Sequence, residues 1–359
     1  EAQKLFPLID PKGVLGAAYL PTDGQIDPSS VTQALAKGAR DRGTQIVKGC
    51  TVEGVRSTNR QVTEVVTNDG VWTCDTFINA SGMWSRELGA LSNVRIPACA
   101  LEHQYIITEA IPGMPKDMPT MRDPDRLVYY KPEPNGMVIG GYEPNTQPFG
   151  NDDIPAGFGR ELLDSNLDRF GQLAELAAEI TPFINEVGIK EVINGPIPYS
   201  ADGDFVMGKV PELDNYYVAS GFLYGIAAGG GAGRMMAEWI LNESPSLDLW
   251  PLDVRRFSEH HNTKHFMYSR AIDHYGHHYK LHFPGNESSA ARGIRRSPLY
   301  YPLKDMGAVY GSRAGWERPL WFAPEGVTPV DKMSFERSEC NWHIHVANEH
   351  KAIRERVGL

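Results

Sequence analysis

Several features that would point to a simple function are scarce in this sequence. Acidic residues outnumber basic ones, and the net charge of −10 argues against a nucleic-acid-binding protein, because phosphate contacts need clustered Lys and Arg. No apolar run approaches the roughly 20 residues that a membrane span needs. The cysteines form no CxxC pair, which favours a reducing compartment without a disulfide framework; they are Cys50, Cys74, Cys99 and Cys340.

The chain also lacks a recognisable start and a dinucleotide fingerprint. It opens with Glu1, without an initiator Met or a targeting segment, and it stops inside a helical pattern just after Gly358. We interpret the sequence as an internal fragment whose localisation signals are unreadable. No G-x-G-x-x-G follows a strand pattern, so the pyrophosphate cradle of a dinucleotide-binding domain is missing, and the glycines of 229–233 have the wrong spacing.

The residues that are present indicate a globular protein long enough for two or more domains, with 359 residues of which 41% are hydrophobic. The first hundred residues alternate helix and strand patterns. Residues 23–43 predict a helix that is capped by Asp27 or Ser29 and ended by Gly43. Strand-like stretches follow at 44–55, at 61–70 with an Asn68-Asp69-Gly70 turn, and at 73–82.

Longer β segments begin near Cys99. The stretch "ALEHQYIITE" alternates so that Leu101, His103, Tyr105 and Ile107 share one face of a strand. The stretch "RLVYYKPEPNGMVIGGYE" predicts a hairpin closed at Asn135-Gly136. A long helix is predicted over about 158–183.

The most informative stretch is "GFLYGIAAGGGAGRMMAEWI" at 221–240, where a strand runs through six glycines into an amphipathic helix. Glycines at a helix N-terminus bare backbone N–H groups to a ligand, and the helix dipole favours negative charge there. The alternative is a close-packed turn in which glycine only lets the helix touch a neighbour. Taken alone, the pattern leaves both interpretations open.

A family resemblance emerges from several motifs in collinear order. The chain resembles the D-amino-acid-oxidase-type flavoproteins, and within them the dimethylglycine and sarcosine dehydrogenase branch. The motifs are "LFPLIDPKGVLGAAYLPTDGQIDPSSVTQALAKGAR", "FINASGMWSRELG", "EHQYIITE", "PAGFGRELLDSNLDR", "GPIPYSADGDFVMGKVPELDNYYVASGF", "GFLYGI" and "GWERPLWFAP".

The resemblance implies an α+β fold of the D-amino-acid-oxidase type, truncated at the N-terminus. An α/β remnant of the FAD-binding domain would comprise 26–97 and 193–245. A mostly antiparallel substrate-binding sheet would comprise 1–25 and 98–192. A connecting domain is expected over 246–330, and the start of a folate-binding, aminomethyltransferase-like domain over 331–359.

The resemblance also places the glycine-rich turn against a flavin, where the helix N-terminus stabilises negative charge on the reduced ring. Gly82 would lie beneath the FAD, and Val52 would present its backbone to the adenine. The residues lining the flavin would be Leu223, Tyr224, Gly225, Ile226, Ala227, Ala228 and Gly229. In the family, the fingerprint and a His bonded covalently to the flavin lie upstream, so we expect this fragment to bind FAD poorly.

The activity implied by the resemblance is oxidative N-demethylation of a small N-methyl amino acid, dimethylglycine or sarcosine, by hydride transfer to flavin N5. The one-carbon unit would pass to tetrahydrofolate in a C-terminal domain, and the electrons to an electron-transfer flavoprotein or oxygen. The compartment would be the mitochondrial matrix in a eukaryote or the cytoplasm in a bacterium, with no nucleic-acid or membrane partner. The alternative is a non-catalytic regulatory subunit of the pyruvate dehydrogenase phosphatase type.

Amine oxidation requires a group that accepts or shares the proton of the amine, which must be neutral before its hydride leaves. His103 suits this role because imidazole titrates near neutral pH; the alternative is a satisfied core histidine. By resemblance, His103 and Tyr129 face the substrate side of the flavin. Tyr130 points to the opposite face of its strand, where we expect it to serve packing. Tyr105 is a weaker candidate for the active site. Tyr224 either packs against its neighbours or covers the substrate.

The histidine-rich segment is the main competing signal, since seven of the eleven histidines lie between His260 and His282. His261 and His265 have the i, i+4 spacing that can place two imidazoles of one helix on a metal ion. No cysteine and no carboxylate stands in register as a further ligand. We therefore expect a polar surface here and no metal site.

Overall fold

The computed structural model describes residues 1–151, 153–159, 161–282, 287–330 and 340–356. These residues divide into two compact units, Glu1–Lys280 and Leu281–Leu359. Within the described ranges, no helix combines the length and the apolar character that crossing a membrane requires.

The helices of the described residues are α1 (Ala2–Leu5), α2 (Pro28–Arg40), α3 (Ser85–Ala90), α4 (Leu167–Ile180), α5 (Gly225–Asn242), α6 (Lys264–His277), α7 (Tyr300–Asp305) and α8 (His343–Glu355). The strands are β1 (Val52–Thr58), β2 (Gln61–Thr67), β3 (Gly70–Thr73), β4 (Phe77–Asn79), β5 (Ala98–Thr108), β6 (Met121–Asp123), β7 (Val128–Glu133), β8 (Gly136–Gly141), β9 (Pro148–Phe149), β10 (Ile189–Ser200), β11 (Val206–Lys209), β12 (Tyr216–Ser220), β13 (Ala308–Arg313) and β14 (Trp316–Phe322). Single 3-10 turns lie at Gly82–Trp84, Pro182–Asn185, Trp250–Leu252, Val254–Arg256 and Glu259–Asn262.

The predicted first helix is α2, and Asp27 is its cap. The Asp27 carboxylate accepts a hydrogen bond from the Ser30 backbone N–H at 2.7 Å, which satisfies one of the free donors of the first turn. The strand pattern at 44–55 is realised only from Val52 onward, in β1. Ile46 and Val47 are about half exposed and have no described strand beside them to supply backbone partners.

Two three-stranded sheets share one core. Strands β1, β2 and β3 form an antiparallel meander, with the predicted Asn68-Asp69 turn between β2 and β3. In the other sheet β12 pairs antiparallel with β11 and parallel with β4, so β12 and β4 end at the same edge. The buried residues Val62, Val65, Val206, Tyr216 and Val218 pack together between the two sheets.

The largest sheet has the order β10-β5-β8-β7-β6, with β9 added beside β5, and every pair in it is antiparallel. The predicted antiparallel sheet and its Asn135-Gly136 turn are therefore confirmed. Residues 1–25 add no strand to it, but Phe6 and Ile9 pack into the core on its outer face.

Helix α4 covers that outer face with Phe170, Leu173, Ala177 and Ile180. It begins later than the predicted 158–183 because Asn166 caps it, accepting a hydrogen bond from the Arg169 backbone N–H at 2.9 Å.

The second unit contains α7, the β13–β14 hairpin and α8. Arg292 pairs with the buried Glu317 of β14 and anchors the chain to this hairpin. The predicted connecting domain at 246–330 extends across the division between the units. Of the predicted folate-domain segment, residues 331–339 and 357–359 lie outside the described residues.

Candidate active site

His103 lies between two tyrosine hydroxyls. Its Nδ1 is 2.8 Å from Tyr275 Oη, and its Nε2 is 3.0 Å from Tyr129 Oη. His103 is on β5, Tyr129 is on β7 two strands away, and Tyr275 comes from α6. The two residues that the resemblance places in the active site are therefore in direct contact.

Tyr129 reaches His103 by crossing Gly140 on β8, the strand between them. Gly140 pairs with Tyr129 on one side and with Tyr105 on the other. A Cβ at Gly140 would lie 2.8 Å from Tyr105 Cβ and less than 2.5 Å from the Tyr129 hydroxyl. Only a glycine leaves room for the tyrosine to lie across the sheet.

A buried charged network supports the far side of His103. The Tyr275 hydroxyl donates to Glu143 Oε2 at 3.1 Å. Glu143 Oε1 lies 2.8 Å from Arg169 Nε as an ion pair outside hydrogen-bond geometry, and Arg169 also donates to Glu102 Oε2 at 2.9 Å. The side chains of Glu143 and Arg169 are only 3% and 9% exposed, so neither charge is satisfied by bulk water.

An aromatic cluster joins His103 to the start of α5. The Tyr142 ring lies 4.9 Å from the His103 ring and 4.5 Å from the His278 ring, measured between centroids. His278 in turn lies 5.9 Å from Tyr224, the residue before α5. Tyr279 packs 4.7 Å from Tyr142 and carries the Arg122 guanidinium 4.6 Å above its ring.

The protonation states of these groups follow from burial. Burial lowers the pKa of His103 to about 4, and His278 and Arg169 act in the same direction. The imidazole is therefore neutral at neutral pH and has a free lone pair. Burial raises the pKa of Tyr129 and Tyr275 well above the usual value, so both hydroxyls keep their protons. The pKa of Glu143 is raised above its usual value by burial, which outweighs the opposite effects of its backbone hydrogen bond and of Arg169.

Gly82 comes shortly after β4, at the edge where β4 and β12 end. Ser220 Oγ, at the end of β12 and shortly before α5 in the chain, donates to the Gly82 carbonyl at 3.2 Å. Among the described residues, no side chain caps α5. A Cβ at Gly229 or at Gly230 would meet nothing within 4 Å. This open, uncapped helix N-terminus fits an electron-rich planar group such as the expected flavin, at the strand edge where α/β sheets bind ligands.

The structure thus places Gly82 against the end of β12, whereas Val52 begins β1 in a different sheet and pairs there with Thr67. Tyr130 lies on the other face of β7 and is 1% exposed in the core, with its hydroxyl accepting from Thr181 Oγ1. Tyr105 shares the face of His103 and pairs with Gly140.

Sequence reasoning missed most residues around His103. Tyr142 and Glu143 directly follow β8, and Arg169 is in the first turns of α4. Tyr275 and Tyr279 are four residues apart, a spacing that would suggest one helical face, but α6 ends at His277 and Tyr279 lies in the turn that follows.

The histidine-rich segment corrects one expectation. His261 and His265 do not share a helix, because Thr263 caps α6 and His261 lies in the preceding 3-10 turn. His261 is 7% exposed and bonds to the Ser258 backbone N–H, whereas His265 faces solvent. Within the described ranges, no three His, Cys, Asp or Glu side chains form a group that could hold a metal ion.

Comparisons with known proteins show which family the chain resembles along its length. The family model "FAD dependent oxidoreductase" matches residues 1–239, and "FAD dependent oxidoreductase central domain" matches residues 243–297. The solved structure of L-proline dehydrogenase from P. horikoshii superposes with a TM-score of 0.62 at 25% identity, covering 71% of this chain and 66% of that chain.

Curated relatives match almost the whole chain. The chain is 35% identical to 4-methylaminobutanoate oxidase (formaldehyde-forming) of Paenarthrobacter nicotinovorans over 99% of its length and 43% of the relative. It is 35% identical to mitochondrial dimethylglycine dehydrogenase of Mus musculus, over 99% of the chain and 42% of the relative. A mitochondrial pyruvate dehydrogenase phosphatase regulatory subunit of Mus musculus is 31% identical, over 99% and 41% respectively. The chain spans about two fifths of the length of these relatives.

Proposed function

Because the chain belongs to the family of FAD-dependent oxidoreductases, we propose that it forms the substrate side of an enzyme that oxidises a small N-methyl amino acid. The family match confirms the resemblance seen in the sequence. The observation that carries the proposal is the contact of His103 with Tyr129, which the aromatic cluster connects to the uncapped N-terminus of α5.

The residues of this chain would hold the FAD by its ring. The first turn of α5, with Leu223–Gly229, would lie against the isoalloxazine, and Gly82 would lie beneath the cofactor. Bound FAD would supply the hydride acceptor for the N-methyl carbon. The backbone N–H groups of the α5 N-terminus would stabilise negative charge on the ring, as a helix N-terminus does for other anions.

The tyrosine and the histidine would manage the proton of the amine. A protonated amine can donate its N–H to the Tyr129 oxygen, while the Tyr129 hydroxyl donates to the neutral His103. The proton of the amine then moves toward His103 in two short transfers, which leaves the amine lone pair free. The surrounding tyrosine rings would exclude water and favour a cationic methylammonium group.

Arg122 is the best candidate for the carboxylate of the substrate. It faces Tyr129 directly in the β6–β7 pair, so both side chains lie on the same face of the sheet. Its guanidinium lies over the ring of Tyr279, beside the aromatic cluster. A guanidinium on this face of the sheet would hold the carboxylate of an amino acid and orient its nitrogen toward Tyr129.

The finer features of the activity follow the relatives. We propose dimethylglycine or sarcosine as the substrate, with 4-methylaminobutanoate as a longer alternative suggested by one relative. In a protein of the relatives' length, we expect a covalently attached FAD, transfer of the one-carbon unit to tetrahydrofolate, and an electron-transfer flavoprotein or oxygen as the acceptor. A eukaryotic protein would work in the mitochondrial matrix and a bacterial one in the cytoplasm.

Stopped-flow reduction by dimethylglycine of the flavin-loaded protein, at the full length of the relatives, tests this function. We expect His103→Ala and Tyr129→Phe to slow flavin reduction by about 10²-fold or more, the usual range for a lost proton-transfer group. Tyr130→Phe is the matched control, because it removes a hydroxyl from the adjacent residue on the opposite face. Normal flavin reduction in His103→Ala would show that His103 takes no part in the proton transfer.

The same measurement separates the enzyme from the phosphatase regulatory subunit, the second candidate, which a 31% identical relative supports. A regulatory protein that retains flavin would not be reduced by any N-methyl amino acid. Reduction by dimethylglycine, sarcosine or 4-methylaminobutanoate would identify the enzyme and its substrate.

A further inference from the structure

One ion pair and three hydrogen bonds form a chain with a fixed direction around His103. The ion pair joins Arg169 to Glu143, and the hydrogen bonds run from Glu143 through Tyr275 and His103 to Tyr129. A guanidinium can only donate, a carboxylate only accepts, and a tyrosine has one proton. Each member of the chain therefore restricts what the next one can do.

Glu143 sets the direction because its Oε1 lies 2.8 Å from Nε of the buried Arg169, whose guanidinium can only donate. As a carboxylate, Glu143 accepts the single proton of Tyr275. Tyr275 then has only lone pairs to offer His103, so the Nδ1 atom 2.8 Å away must carry a proton. A neutral imidazole protonated on Nδ1 has a free lone pair on Nε2, and Tyr129 donates to it.

We propose that Glu143, acting through Tyr275, holds His103 in the Nδ1–H tautomer, so that Tyr129 donates to Nε2 and turns its oxygen lone pairs toward the substrate amine. Glu143 and Tyr275 are thus positioning residues. The statement about the tautomer depends only on the hydrogen bonds, whereas the statement about the amine rests on the proposed function.

If residue 143 offers Tyr275 a donor instead of an acceptor, the donor and acceptor roles of the later hydrogen bonds in the chain are exchanged as well. In Glu143→Gln the amide oxygen must face the donors of Arg169, which leaves the NH2 group toward Tyr275. Tyr275 would then accept from the amide and donate to Nδ1, and the proton of His103 would move to Nε2. Tyr129 would accept from Nε2–H and would point its own proton at the substrate, where a protonated amine offers no acceptor.

The test is ¹⁵N NMR of the chain labelled at histidine, which distinguishes a protonated from an unprotonated ring nitrogen. The signal of His103 is assigned by its loss in His103→Gln. We expect wild type to show Nδ1–H and Glu143→Gln to show Nε2–H. Each preference should be about tenfold or more, because the wrong tautomer leaves a buried group unsatisfied. Tyr275→Phe, which removes the link, should show both tautomers.

Wild type with its proton on Nε2 would overturn the proposal, and so would an unchanged tautomer in Glu143→Gln or in Tyr275→Phe. If Glu143→Gln does not fold, Tyr275→Phe alone decides the point. The measurement needs neither flavin nor substrate, so its result is independent of the proposed function. Conversely, an Nδ1–H tautomer in a protein whose flavin no N-methyl amino acid reduces would reject the proposed function and leave the tautomer assignment intact.

Discussion

Gly140→Ala is the sharpest perturbation of the site that leaves every functional side chain in the sequence. Its Cβ would lie 2.8 Å from Tyr105 Cβ and closer still to the Tyr129 hydroxyl and its ring carbon. Real Cβ atoms do not approach other atoms so closely. Because Gly140 lies inside the sheet between β5 and β7, the backbone cannot retreat, and the Tyr129 ring must move instead.

The size of the effect follows from that displacement. Relieving the overlap moves the Tyr129 hydroxyl by about 1 Å, a misplacement that can cost about 10²-fold in rate. Its 3.0 Å hydrogen bond to His103 would be lost. Overpacking in a close-packed site typically costs about 1–3 kcal/mol. We therefore expect a fall of that size in the free energy of unfolding, together with a roughly 10²-fold slower reduction of the flavin by substrate.

Urea unfolding and stopped-flow flavin reduction would measure the two effects on the same preparations. Gly195→Ala is the matched control: Gly195 pairs with His103 on the neighbouring strand, but a Cβ there would meet only Leu162, at 4.0 Å. Most of the loss of stability should disappear in the double variant Gly140→Ala/Tyr129→Ala when it is compared with Tyr129→Ala, because the overlap with the Tyr129 ring is gone and only the 2.8 Å contact with Tyr105 Cβ remains. An equal loss in both backgrounds would refute the steric argument.

Two further predictions concern charge. His103 and His261 each have a pKa lowered by burial to about 4, whereas an unfolded histidine titrates near about 6.5. Between these two pKa values, the histidines bind protons in the unfolded chain but not in the folded chain. The free energy of unfolding should therefore decline as the pH falls from about 6.5 to 4. Urea unfolding at several pH values should show a shallower decline in His103→Gln, and an unchanged slope would contradict the assignment. Arg122→Gln should raise the substrate concentration needed for half-maximal flavin reduction by about tenfold or more, with little change in the limiting rate, since an ionic hydrogen bond contributes about 1.5–3 kcal/mol. An unchanged concentration dependence would place the carboxylate elsewhere.

The parts of the fold that can be predicted from the sequence are those that depend on interactions between residues close together in the chain. Alternation fixes which face of β5 carries His103, and Asn135-Gly136 fixes the hairpin that brings β7 beside β8. Asp27 caps α2 because its carboxylate accepts a hydrogen bond from the free backbone N–H three residues later. Local capping also explains a failure: Thr263 ends the 3-10 turn and begins α6, which separates His261 from His265 despite their spacing.

The partners of His103 could not be predicted in the same way, because they come from distant parts of the chain. Tyr275 is 172 residues away in sequence and Tyr129 is 26 residues away. Nothing near Glu143 in the sequence indicates that Arg169 will neutralise it or that Tyr275 will donate to it. These contacts exist only after the sheet, α4 and α6 have packed together.

Strand β5 explains why the site lies where it does. At one end Ala98 packs in the core between the two small sheets, and near the other end Ile106 packs in the core under α4. His103 lies between those cores in sequence, belongs to neither of them, and is partly buried. A polar residue is tolerated at such a position only if its hydrogen bonds are satisfied, and Tyr129 and Tyr275 satisfy both ring nitrogens. The interpretation of His103 as a satisfied histidine is therefore compatible with the proposed role in proton transfer. The Tyr129 and Tyr275 hydroxyls satisfy both ring nitrogens, and they also determine which of the two nitrogens carries the proton.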